Sequence, residues 1–367
     1  MPATVARRAR SHIAGIIQAE DLPMIVVQDR IEVAGADLAR LQNMFTERYI
    51  PAAEQRGLRF AQSLVSPPLQ LQDQPNTLWL RWTLADAGAF WAARYASGDP
   101  AVVAFWAELD TFVLKRERHY LVAGADALPG PEDTTPYRRQ PVAWRETAQL
   151  YLKNDITAAD RAAFAALLER AGAELPGVQT ANLAANFVPD YGAGHYTWDL
   201  VYPDRATADA ARASSFWRKQ LLPALDRHCR ARAALGLETL GAGARAPALA
   251  NGVKRTALFR LLPGVSTELQ SRFARDTLEM AAQIPAILNW RLSRAVPLAW
   301  DTPDCAPWSF VWEQEYATLE GLTVDYMVHP HHWAHIDRWF DPESGAQIID
   351  TALCHAFAPL AHSIIVR

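Results

Sequence analysis

The chain has 367 residues and a net charge of −4, with 50% of residues hydrophobic and 21% charged. That is an ordinary globular composition, with no general electrostatic reason to bind nucleic acid or an anionic membrane. No run approaches the roughly 18 apolar residues of a membrane helix. Cys229, Cys305 and Cys354 are far apart and form no CxxC pair, so neither a disulfide framework nor a zinc knuckle is indicated, which fits a reducing cytoplasm.

Residues 1–22 hold Arg7, Arg8 and Arg10 with only a short apolar patch, and read as a loose leader without the core of a signal peptide. The β-branched run Met24 to Val33 predicts a strand. Leu38, Leu41, Met44 and Phe45 recur at three- and four-residue spacing and predict a helix over 36–55. Strands follow at 58–65 and 78–84, helices at 86–95 and 100–114, and a last strand at 118–123. The order is β-α-β-β-α-β.

Pro129, Pro131 and Pro136 mark a linker over 127–140. The order then repeats. Strands are predicted at 144–152, 178–187 and 195–202. Helices are predicted at 158–173, with Thr157 as N-cap, and at 205–232. A short strand near 237–240 closes the segment. The Gly- and Ala-rich stretch 241–252 reads as a second linker. The third segment has strands at 253–262, 287–292, 307–316 and 348–357, and helices at 267–282, 318–328 and 331–340, with Ser266 as a cap. The expected organisation is α+β, with three tandem ferredoxin-like segments at 23–126, 141–241 and 252–367. Thr147-Ala148 and Thr256-Ala257 open two parallel strand-to-helix stretches.

One stretch of the third segment concentrates proton-transfer chemistry. Tyr326, His329, His331, His332 and His335 fall within eleven residues, in a chain with ten histidines. Histidine moves protons in both directions near neutral pH. His331 and His335 have the spacing that shares a metal, but no acidic or cysteine motif completes a ligand set, and the bland alternative is one exposed helix face. Asp199 and Glu313 read as surface or pairing groups. No GxGxxG, P-loop, nucleophile elbow or HExxH is present.

The third segment resembles the dimeric α/β-barrel family, also called the stress-responsive A/B barrel. The resemblance rests on Val253-Lys-Arg-Thr-Ala-Leu-Phe-Arg-Leu-Leu-Pro-Gly264, on Ile284-Pro-Ala-Ile-Leu-Asn-Trp290, and on Tyr326-Met-Val-His-Pro-His-His332. It implies ferredoxin-like sheets packed face to face, normally between two chains, and so a homodimer through any segment left without a partner. It also implies that Tyr326 and His332 line a cavity, with His332 as general base and His329 beside them. Several cyclase-like members carry histidine where this chain has Arg255. An arginine facing a cavity calls for an anion, so Arg255 is expected to hold a carboxylate. Trp333, His195 and Trp198 are expected to line the same or another cavity.

Three segments in one chain resemble the DesCD-type proteins of bacterial aromatic catabolism. The expected activity is therefore a cofactor-free and metal-free isomerase in the cytoplasm. Its substrate would be a carboxylated ring-cleavage product, the 2-hydroxy-dienoate methyl ester from 3-O-methylgallate. The rivals are a polyketide-type cyclase, a haem-binding oxygenase and a non-catalytic stress protein.

Overall fold

The computed structural model describes residues 24–122, 130–139, 143–188, 191–302 and 307–366. The expected leader, Cys305 and part of the first linker lie outside these residues. The chain divides into two compact units, Met1–Gly130 with Thr323–Thr351, and Pro131–Leu322 with Ala352–Arg367. The span 252–367, expected as one segment, contributes residues to both.

Unit 1 is an antiparallel sheet with helices on one face. Its elements are β1 (Ile25–Ala34), α1 (Leu38–Met44), α2 (Ile50–Gln55), β2 (Arg59–Ser66), β3 (Pro75–Leu84), α3 (Ala87–Ala96), α4 (Pro100–Leu109) and β4 (Val113–Val122). A π-helical turn, Phe45–Tyr49, joins α1 to α2. The strand order is β2-β3-β1-β4, the ferredoxin-like order. Ile25, Val27, Ile31 and Val33 point from alternate positions of β1 into a core with Leu41, Phe45, Phe90 and Phe105, as period-two geometry requires. Asp86 and Asp99 cap α3 and α4 by accepting from Ala89 and Ala101 N–H. β4 begins at Val113, five residues before its expected start. Its first turn of sequence, Lys115-Arg116-Glu117, is charged because that strand is partly solvated, and Arg30 of β1 pairs with Glu117 across the ladder at 3.4 Å.

Unit 2 contains β5 (Arg138–Arg139), β6 (Trp144–Leu152), α5 (Ala158–Glu169), α6 (Ala171–Glu174), β7 (Thr180–Ala185), β8 (Tyr196–Tyr202), α7 (Arg205–Ala213), α8 (Leu222–His228), β9 (Cys229–Ala244), β10 (Ala250–Phe259), α9 (Thr267–Gln283), β11 (Asn289–Pro297), β12 (Phe310–Tyr316) and β13 (Cys354–His362). Thr157 and Ser266 cap α5 and α9 as their sequence positions predict. The sheet runs β13-β10-β12-β11-β9-β6-β8-β7, with β5 beside β9. The order last-first-third-second seen in unit 1 thus recurs in β6–β9 and again in β10–β13. β9 joins these halves, pairing with β6 through its first part and with β11 through its second.

That double duty makes β9 sixteen residues long, where a short strand and a linker were expected. Glycine hides the strand from a propensity reading, yet it is what the packing needs. A Cβ at Gly236 would strike the Trp144 ring, and one at Gly243 the Trp290 ring. The opposite edges of the sheet are drawn together where Phe187 N–H donates to Phe357 O (2.8 Å) and His355 N–H donates to Tyr191 O (2.9 Å). One face of the sheet packs under helices, with Ala148, Leu150, Trp198 and Leu200 against Phe164, Leu168 and Trp217. The other face is turned on itself as an interior.

Candidate functional sites

The chain breaks at His329, before Pro330, between two π-helical turns, Gly321–Tyr326 and His331–Ile336. Such turns widen the helix and re-aim side chains. Tyr326 is buried and its ring lies 3.9 Å, centroid to centroid, from that of His332. Trp91 of α3 also packs against His332, at 4.8 Å, and its Nε1–H donates to Met327 O at 2.8 Å. The expected pair is therefore brought together, against an aromatic wall that the motif did not include. Trp333 packs into the unit core against Phe90 at 5.5 Å and Tyr120 at 6.1 Å, and its Nε1–H donates to Val328 O. His329 is half-buried, its Nδ1 accepts from His331 N–H (3.2 Å), and burial pushes its imidazole down. The His331 and His335 rings lie 4.9 Å apart.

One turn along α3 from Trp91, Arg94 Nε donates to Asp337 Oδ2 at 2.6 Å and lies 3.8 Å from Asp341. Tyr120 OH donates to Asp341 Oδ2 at 3.1 Å. Burial raises the Asp337 carboxyl to about 6. Arg94 opposes that shift and the neighbouring Asp341 charge adds to it. A cavity of about 10 Å³, room for about one water, is lined by Arg94, Arg118, Tyr120, Asp341 and Glu343 among others. Glu343 itself is saturated. It accepts from Tyr49 OH, from Arg56 Nη2 (2.8 Å), from Arg118 Nη1 (2.8 Å) and from Trp106 Nε1 (3.2 Å). Burial opposes ionisation, yet the Arg118 and Arg56 charges hold Glu343 well below the usual carboxylate range. It braces the unit rather than offering a lone pair to a ligand.

In unit 2 the interior is polar. Arg145 of β6 holds Glu313 of β12 with two bonds of 2.8 Å and approaches Asp199 of β8 at 3.3 Å. Lys254 of β10 binds Asp199 at 2.7 Å and Glu313 at 2.9 Å. All four are essentially inaccessible to solvent. Burial would raise Glu313, but Arg145 and Lys254 prevail and push it down to about 2. Asp199 and Glu313 therefore pair in the interior and are not surface groups. The pattern is crossed, since the first-strand cation of each half meets the third-strand carboxylate of the other.

Strand alternation settles which face each expected residue occupies. Asp199 and Thr197 look into the interior. Trp198 lies under the helices, stacked on Trp217 at 6.3 Å and set edge-on to Trp300. Arg255, one residue after the inward Lys254, also lies on the helix face. Its Nη1 donates to Gln314 Oε1 at 2.6 Å, and Gln314 in turn contacts Met280 of α9. Arg255 belongs to unit 2, whereas Tyr326 and His332 belong to unit 1. His195 stands before β8, where Leu152 N–H donates to its Nδ1 at 3.0 Å, and burial pushes its imidazole down. Arg94, Asp341 and the interior cations Arg145 and Lys254 were not anticipated, and of the two readings of Asp199 and Glu313 the pairing one holds. The available signal was the repeated dyad Trp198-Asp199 and Trp312-Glu313, which places an acid beside a tryptophan on the third strand of each half.

Among the described residues no helix is long and apolar enough to cross a membrane. No family-level sequence model matches the chain, and no curated protein matches it. Solved structures similar to it include an anthrone oxidase-like protein, at 8% identity over 61% of this chain and 93% of that one, with a TM-score of 0.44. A mutant chlorite dismutase from Candidatus Nitrospira defluvii is 8% identical over 60% of this chain and 92% of that one, with a TM-score of 0.38. A dabb family protein with a ferredoxin-like fold from Mesorhizobium loti is 14% identical over 27% of this chain and 98% of that one, with a TM-score of 0.23.

Proposed function

We propose that the chain is an enzyme of small-molecule acid–base chemistry, a cofactor-independent cis–trans isomerase acting on an unsaturated carboxylated ring-cleavage product. The observation that carries this reading is the row of groups along α3. Trp91 meets the His332–Tyr326 pair, and one turn on Arg94 meets Asp337, a carboxyl held near neutral. Groups that titrate near working pH are those that move protons in both directions. A planar, conjugated 2-hydroxy-dienoate suits an aromatic wall such as Trp91. His332 would take the enol proton, and a proton delivered to the distal carbon would turn the enol into the ketone. The former double bond, now single, rotates, and the reverse transfers restore the dienoate with no net change in atoms or electrons. Tyr326 would polarise the developing oxygen. The source we favour is cytoplasmic degradation of lignin-derived aromatics.

The threefold recurrence of one strand order supports reading the chain as three tandem ferredoxin-like segments, two of which form the sheet of unit 2. We propose that the segment left over, in unit 1, is covered by a second copy of the chain. The test of the activity is spectroscopic. Purified protein is expected to convert the methyl-ester dienoate between its isomers, and His332→Gln to lower the rate by roughly 100-fold or more, the scale of a general base. An unchanged ultraviolet spectrum with wild-type protein sinks the isomerase reading.

A further inference from the structure

The interior of unit 2 holds a cation that its ion pairs do not use. Arg145 and Lys254 are matched by Asp199 and Glu313. The third interior carboxylate, Glu315, is taken by Asn289 Nδ2 (2.7 Å), Ser363 Oγ (2.6 Å) and the backbone N–H groups of Ile364 (2.9 Å) and Ile365 (3.2 Å). Arg291 of β11 lies directly across the ladder from Glu313, on the same face, and is 1% exposed. Among the described residues its Nε and Nη1 have no hydrogen-bond partner. Two residues along the same strand face, the Ser293 hydroxyl is also buried and without a partner among the described residues, as is that of Thr147 on β6. A buried guanidinium with open donors is costly for a fold and is relieved by an anion.

The symmetry of the two halves isolates Arg291 further. The position across from Asp199 on β7, matching that of Arg291 across from Glu313, is Asn182. The crossed ion pairs recur in both halves, so the fold uses them. The extra guanidinium occurs in one half only. Asn182 also lies in an opening of about 500 Å³, lined by β7 (Asn182 to Ala185), by Asn251 and Gly252 of β10, and by Pro359 to Ala361 of β13. Gly252 and Leu360 sit across the ladder from each other, two residues from the Lys254–Ala358 pair, and so share the interior face. The opening lies between the two edge strands of the sheet, β7 and β13, where Leu360 packs in an apolar cluster with Val201, Ile364 and Ile365.

We propose that the interior of unit 2 binds a small organic monocarboxylate, entering between β7 and β13, with Arg291 and the Ser293 hydroxyl holding its oxygens. Burial and the Arg145 charge push the Arg291 guanidinium down, to about 9, as befits a cation still short of its counter-ion. The site lies within unit 2 and stands apart from the acid–base reading of unit 1.

The full chain is titrated with benzoate and, in parallel, with benzamide, while thermal unfolding and calorimetric heat are recorded. Benzoate is expected to raise Tm saturably and benzamide to leave it unchanged. Arg291→Met is expected to abolish the benzoate shift while leaving the ligand-free protein as stable as wild type or more so, since it removes an uncompensated buried charge. Arg291→Lys, which keeps the charge without the fork, is expected to bind roughly tenfold more weakly or worse. An equal benzoate shift in wild type and Arg291→Met overturns the proposal, as does a wild type that shows no saturable shift. A ligand-free Arg291→Met that unfolds well below wild type assigns Arg291 a structural role and overturns it too.

Discussion

Asp337 is the residue where the environment changes the chemistry most plainly. Its carboxyl is raised in the folded state, so between about 4 and about 6 the fold binds a proton that the unfolded chain has released. Stability tied to Asp337 is therefore present below that window and lost as pH rises through it. Asp337→Asn is neutral throughout. In urea unfolding at about pH 4 and about pH 7, the balance between variant and wild type should move toward the variant by roughly 1–3 kcal/mol at the higher pH. A pH-independent difference would mark Asp337 as an ordinary carboxylate. None of this was legible in the sequence, because Arg94 reaches Asp337 and Asp341 from α3, and Tyr120 reaches Asp341 from β4. The contact between Tyr326 and His332 could be anticipated because both lie in one short motif. Arg255 could be placed on a strand but not on a face. One residue of register separates the interior, where Lys254 points, from the helix layer, where Arg255 points.

At the scale of elements, hydrophobic periodicity and caps located most helices and strands within a few residues; the larger misses are β13, at Cys354–His362 where 348–357 was expected, and two strands with unusual composition. β4 is too charged and β9 too rich in glycine to look like strands. In β9 the small residues are shape partners of tryptophan rings. Gly243→Ala should force the buried Trp290 ring to move and cost about 1–3 kcal/mol in chemical denaturation, as overpacking does. Gly98→Ala, with open space around its Cβ position, is the control and should stay within about 0.5 kcal/mol of wild type. Equal stabilities for the two variants would contradict the packing account.

For the whole molecule, the ferredoxin-like element order was readable from the sequence, but the division into units was not. The residues 323–351 leave the sequence neighbourhood of β10 to β12 and join unit 1, a long-range choice that local propensity does not encode. Unit 1 keeps one sheet face partly open, with Trp79, Leu64 and Leu121 among Arg81, Lys115 and His119. If a second copy covers that face, sedimentation should give a dimer, and Trp79→Glu should shift it to monomer without unfolding it. A wild-type chain that sediments as a monomer at micromolar concentration would refute the dimer.

The crossed ion pairs of unit 2 bear on how such a chain can change over generations. Arg145 depends on an acid at 313, and Lys254 on an acid at 199. Losing any one of the four strands a charge in a dry interior, a loss of about 3–5 kcal/mol. The two halves are thus locked into joint inheritance. Neither can drift at these positions until the other has changed, and a recombination that swaps in one half from a distant relative succeeds only when it brings a matching partner for the half that stays.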